Sequence, residues 1–144
     1  MPMTAQDVGI KSYTAPRDNI AAGVKYLQML ARQFPYGHAD DRLALILAGY
    51  LLGPGHVEDA QRLARRLGYD PHCWAESMER VLPLLEETAY HNQTLHGPAA
   101  GSHAVRYVNA IRKRYFLYSQ YIAREVAPSP SQTSAFPQAA SAAG

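Results

Sequence analysis

Apolar residues in this chain recur at spacings of three and four, and glycine and proline interrupt them at intervals. That pattern suits a set of packed helices and leaves no stretch that alternates as a strand does. Ile20, Val24, Leu27, Leu30 and Phe34 fall on nearly one face, with Asp18 as the expected N-cap and Pro35 and Gly37 as the stop. Asp40 is placed to cap a second helix, DRLALILAGYLL. It is apolar over most of its circumference and is expected to be central and buried. Gly53, Pro54 and Gly55 end it, and a third amphipathic helix, VEDAQRLARRL, closes at Gly68 and Asp70-Pro71. His72 to Leu85 reads as a fourth helix, its last turn broken by Pro83. Thr88 to Gly101 reads as a long loop, and Ser102 then caps the longest helix, through Val105, Val108, Ile111, Tyr115, Tyr118 and Ile122. The expected class is all-α with five main helices. Their shared core is expected to hold Leu27, Leu30, Leu45, Ile46, Leu63, Leu67, Leu84, Val108 and Ile111.

Composition bounds the rest. The 144 residues make about one domain, 47% hydrophobic and 18% charged, which fits a globular chain able to bury a core. The single cysteine, Cys73, excludes a disulfide framework and a multi-cysteine zinc site. No apolar run is long enough to span a membrane, and the opening MPMTAQDVGI has neither the basic nor the apolar region of a signal peptide. The last 18 residues, Ala127 to Gly144, hold six Ala, four Ser, three Pro and no charge. They are expected to be a disordered tail behind a folded domain over residues 1–126.

Ten tyrosines against three phenylalanines is an unusual balance. Tyrosine offers a flat apolar face and a hydroxyl, which suits a groove for a polar ring such as a sugar or base, and equally suits helix interfaces. None of the six histidines pair at the spacing of four that puts two imidazoles on one helix face, so no metal site is expected. Arg106, Arg112, Lys113, Arg114 and Arg124 interleave with Tyr107, Tyr115, Phe116 and Tyr118 on the last helix. This pattern could follow an anionic polymer, but a net charge of +2 and the lack of any nucleic-acid motif argue against nucleic acid as the partner. Glu58, Asp59, Glu76, Glu79, Glu86 and Glu87 lie in polar contexts, and the adjacent Glu86 and Glu87 diverge by about 100° on a helix.

Several segments in order resemble the lysozyme-like lytic transglycosylases, the SLT domains. DNIAAGVKYLQML is similar to that family's Asn-Ile-x-x-Gly-x-x-Tyr-Leu helix, and MPMTAQDVGI to its Met-Pro-x-Thr-Ala-x-x-x-Gly segment. ALILAGYLLGPGHVEDA resembles Ala-x-Tyr-Asn-x-Gly followed by a new helix. RVLPLL, the loop through Gly97 and Gly101, and HAVRYVNAIRKRY resemble the closing loop and the Tyr-Val-x-x-Ile helix. The Leu-Pro-Leu-Leu and long-loop pattern is that of the membrane-bound F-type branch. The resemblance covers roughly residues 1–123.

The resemblance implies a lysozyme-like helical domain acting on peptidoglycan glycan strands, with no cofactor, in the periplasm or cell envelope. That family cleaves the β-1,4 bond between N-acetylmuramic acid and N-acetylglucosamine. One protonated glutamate serves as acid and then base while the muramic acid's 6-hydroxyl attacks, leaving a 1,6-anhydro product. Tyr50 matches the motif tyrosine and Tyr107 the tyrosine of the closing helix, so both are implied to bind sugar in one cleft, with His91 to Gly101 as a wall. Two departures follow. The family's Glu-Ser motif lies upstream of the Met-Pro segment, which begins here at Met1, so the catalytic glutamate is expected to be absent from these residues. Leu51 stands where the motif has asparagine, and leucine can neither donate nor accept a hydrogen bond. Without the glutamate's helix, an apolar strip including Leu43, Leu47 and Tyr50 is expected to be exposed, a surface for a protein partner. Three readings result: a truncated transglycosylase, an inactive glycan- or partner-binding remnant, and a small basic nucleic-acid binder.

Overall fold

A computed structural model describes residues 16–126. Residues 1–15 and the expected tail at 127–144 lie outside that range. The described chain forms α1 (Pro16–Gln33), α2 (Ala39–Leu52), α3 (Pro54–Leu67), α4 (Glu79–Val81), α5 (Thr88–His91) and α6 (Gly101–Val126), with a 3₁₀ turn at Leu82–Glu86. No strand occurs among the described residues, so the fold is all-α. None of these helices is long and apolar enough to cross a membrane.

The helix boundaries show which local signals win. α1 is described from Pro16, so Asp18 falls within the helix. α2 starts one residue before Asp40, with His38 as N-cap. Asp40 and Asp41 instead occupy the first turn, where the helix dipole favours negative charge. Asp41 Oδ1 also accepts the Trp74 backbone N–H at 2.9 Å. Arg42 closes the end of α1 by donating to the carbonyls of Phe34 (3.1 Å) and Ala31 (3.2 Å). Gly53, at φ +91°, both ends α2 and precedes Pro54 at the first position of α3. Gly55, expected in the break, is therefore inside α3.

The expected fourth helix, His72 to Leu85, is three short pieces. Glu76 takes a left-handed conformation (φ +62°) and Ala75 an extended one, so the chain turns where a helix was expected. The Glu76 N–H donates to Glu79 Oε1 at 2.9 Å, and an Arg80–Glu76 ion pair spans the same turn. Pro83, which lacks an N–H, sits in the 3₁₀ turn. The expected loop from Thr88 contains α5. α6 starts at Gly101, and the cap comes from a distant side chain: Glu86 Oε1 accepts the Ser102 N–H at 2.6 Å.

Two compact units divide the chain, the first ending at Arg112 and the second beginning at Lys113, within α6. The core of the first unit joins Leu30 and Phe34 of α1, Ala44, Leu45 and Ala48 of α2, Val57, Ala60, Leu63 and Ala64 of α3, then Trp74, Met78, Val81, Leu82, Leu85 and Val108. Of the expected core, Leu30, Leu45, Leu63 and Val108 are buried, while Ile46, Leu84 and Ile111 are half-buried. Leu27 and Leu67 are exposed, at 37% and 43%. They lie on stripes that extend past the area the neighbouring helices cover, as does Ile20 at 69%. α2 packs on both α1 and α3 without being buried all round. Leu43, Leu47 and Tyr50, expected on an open strip, are half-buried, and it is Leu51 that reaches solvent, at 36%. In the second unit, Tyr115, Phe116, Leu117, Tyr118, Tyr121, Ile122 and Val126 are each more than half exposed.

Candidate functional site

Tyr50 occupies the last turn of α2, half-buried against the core. Its ring centroid lies 5.9 Å from that of Tyr26 on α1, the planes tilted by 52°. Such a tilted pair holds both rings by edge-to-face attraction as well as by burial. Tyr26 was not singled out among the site residues, although it is the tyrosine of the segment DNIAAGVKYLQML. The α1–α2 packing that turns it toward Tyr50 has no trace in the spacing of either helix alone. Tyr107 lies in the second turn of α6, 37% exposed, beside the exposed Arg106. Leu51 follows Tyr50 and presents only hydrocarbon at the exposed end of α2.

The segment after α5 is built onto α3. Asp59 of α3 is 1% exposed. Its carboxylate accepts the backbone N–H groups of Leu95 (3.2 Å) and His96 (2.8 Å), contacts His96 Nδ1 at 3.0 Å, and pairs with Arg62. Burial alone would push the Asp59 carboxyl up, but Arg62 and these N–H donors together carry it below the usual aspartate value. His96 lies edge-on to His56, ring centroids 5.9 Å apart, and His56 Nδ1 is buried without a hydrogen-bond partner. Between α3 and this segment is a concavity of about 270 Å³, lined by Asp59, Arg62 and Arg66 on one side and Gln93, Thr94 and Leu95 on the other.

Three of the other carboxylates have hydrogen-bond donors. Glu58 accepts from Gln33, Glu79 from the Glu76 N–H and from Asn109, and Glu86 from the Ser102 N–H. A general acid at neutral pH needs a carboxyl kept protonated by its surroundings. Asp59, the buried carboxylate among the described residues, is shifted the opposite way.

A second concavity, lined by Gly37, His38, Asp41, Asp70, His72 and Cys73, is more open. Burial, then the charges of Asp41, Asp70 and Glu79, push the Cys73 thiol up, which keeps it protonated and a poor nucleophile. Among the described residues no group of three or more His, Cys, Asp or Glu side chains is arranged to hold a metal ion.

Comparison with known proteins gives one consistent result. Residues 1–72 match the family described as Transglycosylase SLT domain. The chain is similar to the membrane-bound lytic murein transglycosylase F of Shewanella halifaxensis, 42% identical over 113 residues, which is 78% of this chain and 24% of that protein. It is similar to the protein of the same name from Shewanella pealeana, 38% identical over 135 residues (90% and 28%), and from Desulfosudis oleivorans, 40% over 124 residues (82% and 26%). The chain thus spans about a quarter of the length of these curated relatives.

Proposed function

Because the chain belongs to the transglycosylase SLT domain family, we propose that it contributes the glycan-binding part of a peptidoglycan lytic transglycosylase. The observation that carries this reading is the family match over residues 1–72, which spans both rings of the Tyr26–Tyr50 pair. Tyr50 and Tyr107 are the sugar-binding groups in this reading, with Tyr26 buttressing Tyr50. The face of a phenol stacks on the apolar face of a pyranose, and its hydroxyl reaches the ring substituents. The reaction class is cleavage of the β-1,4 bond between N-acetylmuramic acid and N-acetylglucosamine, with the muramic acid's own 6-hydroxyl as nucleophile. The proton donor is assigned to a glutamate other than Glu58, Glu76, Glu79 and Glu86, each of which is held by N–H donors or by a cation. The setting is the cell envelope, as the relatives are named membrane-bound.

Leu51 favours a second reading, in which the chain binds glycan without turning it over. A leucine at the motif asparagine's position offers nothing to orient the reacting acetamido group. Incubating the chain with sacculi and assaying for 1,6-anhydro-muropeptides tests the assignment of the acid, on which both readings agree. Without a positioned general acid, release is expected to fall by about 10²–10⁴-fold from a complete enzyme. Robust release would place the acid within these residues and overturn the assignment. Titration with chito-oligosaccharides tests binding. Tyr50→Ala and Tyr107→Ala should each weaken it about tenfold, as a stacked ring loses its whole face. Absence of binding by the parent chain at millimolar saccharide would remove the glycan reading.

A further inference from the structure

The segment from Asn92 to Ala100 has no regular backbone structure, yet its middle is fixed to a helix more than thirty residues away in sequence. Its first residues are tied locally, the Asn92, Gln93 and Thr94 N–H groups donating to the carbonyls of Thr88, Tyr90 and His91. Thr94 Oγ1 donates to the His91 carbonyl at 2.7 Å, and the Ala99 N–H reaches the Leu85 carbonyl at 3.4 Å. Arg66 donates to Gln93 at the exposed edge. Between those points, the chain is held at Leu95 and His96, and there by Asp59.

We propose that Asp59 is the positioning residue of this surface: its buried carboxylate sets the 92–97 segment against α3 and lays His96 over Gly55. Three features point to it. First, the donors at 3.2 and 2.8 Å are consecutive main-chain N–H groups, so the carboxylate fixes the backbone itself and not just a side chain. Second, burying a carboxylate is costly unless its acceptor sites are filled, and here His96 Nδ1 and Arg62 complete the set. An amide in the same place would present one oxygen and turn a donor toward other donors. Third, the imidazole so placed abuts Gly55, where an added Cβ would come within 2.8 Å of its Nε2, Cδ2 and Cε1. Gly55 is two residues past the joint at Gly53 that ends the Tyr50 helix. Asp59 therefore ties the 92–97 segment to α3 and, with Arg62 and Arg66, lines one side of the concavity between them.

That this wall faces glycan rests on the function proposed above, whereas the positioning itself does not. Two measurements keep them apart. Hydrogen exchange of the parent chain by NMR should show the Leu95 and His96 amides protected, on the order of 100-fold over an open loop. In Asp59→Asn both should lose at least about tenfold of that protection, while the Leu45 and Val108 amides stay unchanged. His96→Ala and Arg62→Met, which leave the two main-chain bonds in place, should retain protection at Leu95. Unprotected amides in the parent, or full protection in Asp59→Asn, would overturn the proposal. Should Asp59→Asn fail to fold, the parent's exchange and the His96 ring nitrogens decide, since a donor to Asp59 must carry its proton on Nδ1. In the second measurement, chito-oligosaccharide affinity should fall about fivefold or more in Asp59→Asn with the core amides intact, a change that stability alone would not produce. A parent chain with protected amides and no saccharide binding overturns the glycan reading and upholds the positioning role.

Discussion

The 92–97 segment and the far half of α6 reverse the usual association between regular structure and burial. The first has no repeating backbone pattern, but a buried carboxylate, an arginine at its edge and turn bonds back to the carbonyls of α5 hold it. The second, from Lys113 onward, is regular helix throughout, yet its seven large apolar side chains are each more than half exposed. Backbone hydrogen bonds within a helix are satisfied locally and require no neighbour. A loop must find partners for its N–H groups elsewhere or leave them to water. Regularity thus reports on local bonding, and fixation reports on long-range partners.

The comparison can be broken at several depths, the deepest being the core on which the loop rests. Leu45 is fully buried in α2, and Leu45→Ala should cost about 2–5 kcal/mol, read from urea midpoints. A cost below about 1 kcal/mol would mean that α2 is not packed as described. Next comes Asp59→Ala, which leaves two main-chain donors without a partner. Both donors belong to exposed residues that water can reach, so at about 0.5–1.5 kcal/mol net for each hydrogen bond lost the change should be about 1–3 kcal/mol although no apolar volume is removed. A change within 0.5 kcal/mol, roughly the surface range, would show the loop to be held by its other contacts.

Acid titration sharpens the same point. The Asp59 carboxyl titrates lower in the folded chain than unfolded. Its contribution is therefore fully present above the unfolded aspartate value of about 3.9 and is lost as pH falls through the lower folded value. The stability gap between the parent and Asp59→Asn should narrow as the pH falls below about 4. A gap that persists undiminished at pH 2 would show that the charge on Asp59 is not what stabilises the loop.

These features were unevenly legible in the sequence. The helices themselves, and the stops at Gly53 and Gly68, follow from spacing and from glycine, because those are local effects. The extent of burial was less legible. The stripe Ile20, Val24, Leu27, Leu30, Phe34 is continuous in sequence, but only Leu30 and Phe34 of these are buried. Periodicity marks which face is apolar and carries no information on how far a neighbour reaches along it. The break at Glu76 was hidden for another reason. No glycine marks its positive φ, and the Glu79 carboxylate and Arg80 that accompany the turn are ordinary helix residues. Polar contacts across long separations were the least legible. Asp59 with His96, and Glu86 with Ser102, leave no periodic trace, and Asp59 reads as one more acid on a solvated face until α3 and the loop are seen together. For the site, the motif tyrosine Tyr50 was identified from its resemblance, whereas its partner Tyr26 required the packing of α1 on α2.

The smallest expected effect lies at the other pole of the comparison. Ile122 is 59% exposed on the far half of α6, and alanine is the better helix former. Ile122→Ala should leave the stability within about 0.5 kcal/mol, the range of a surface substitution, because little buried area is lost and the backbone ladder is kept. The same holds for Tyr118→Ala, whose ring is likewise open to solvent. The measurement belongs at low protein concentration, where the folded chain stands alone, and again at a concentration a hundredfold higher. A helix whose apolar side chains are not covered by another copy gives the same small change at both. A loss of about 1 kcal/mol or more that appears only at the higher concentration would show that these side chains become covered by another copy. The far half of α6 would then be fixed by long-range partners after all, and the contrast with the loop would vanish.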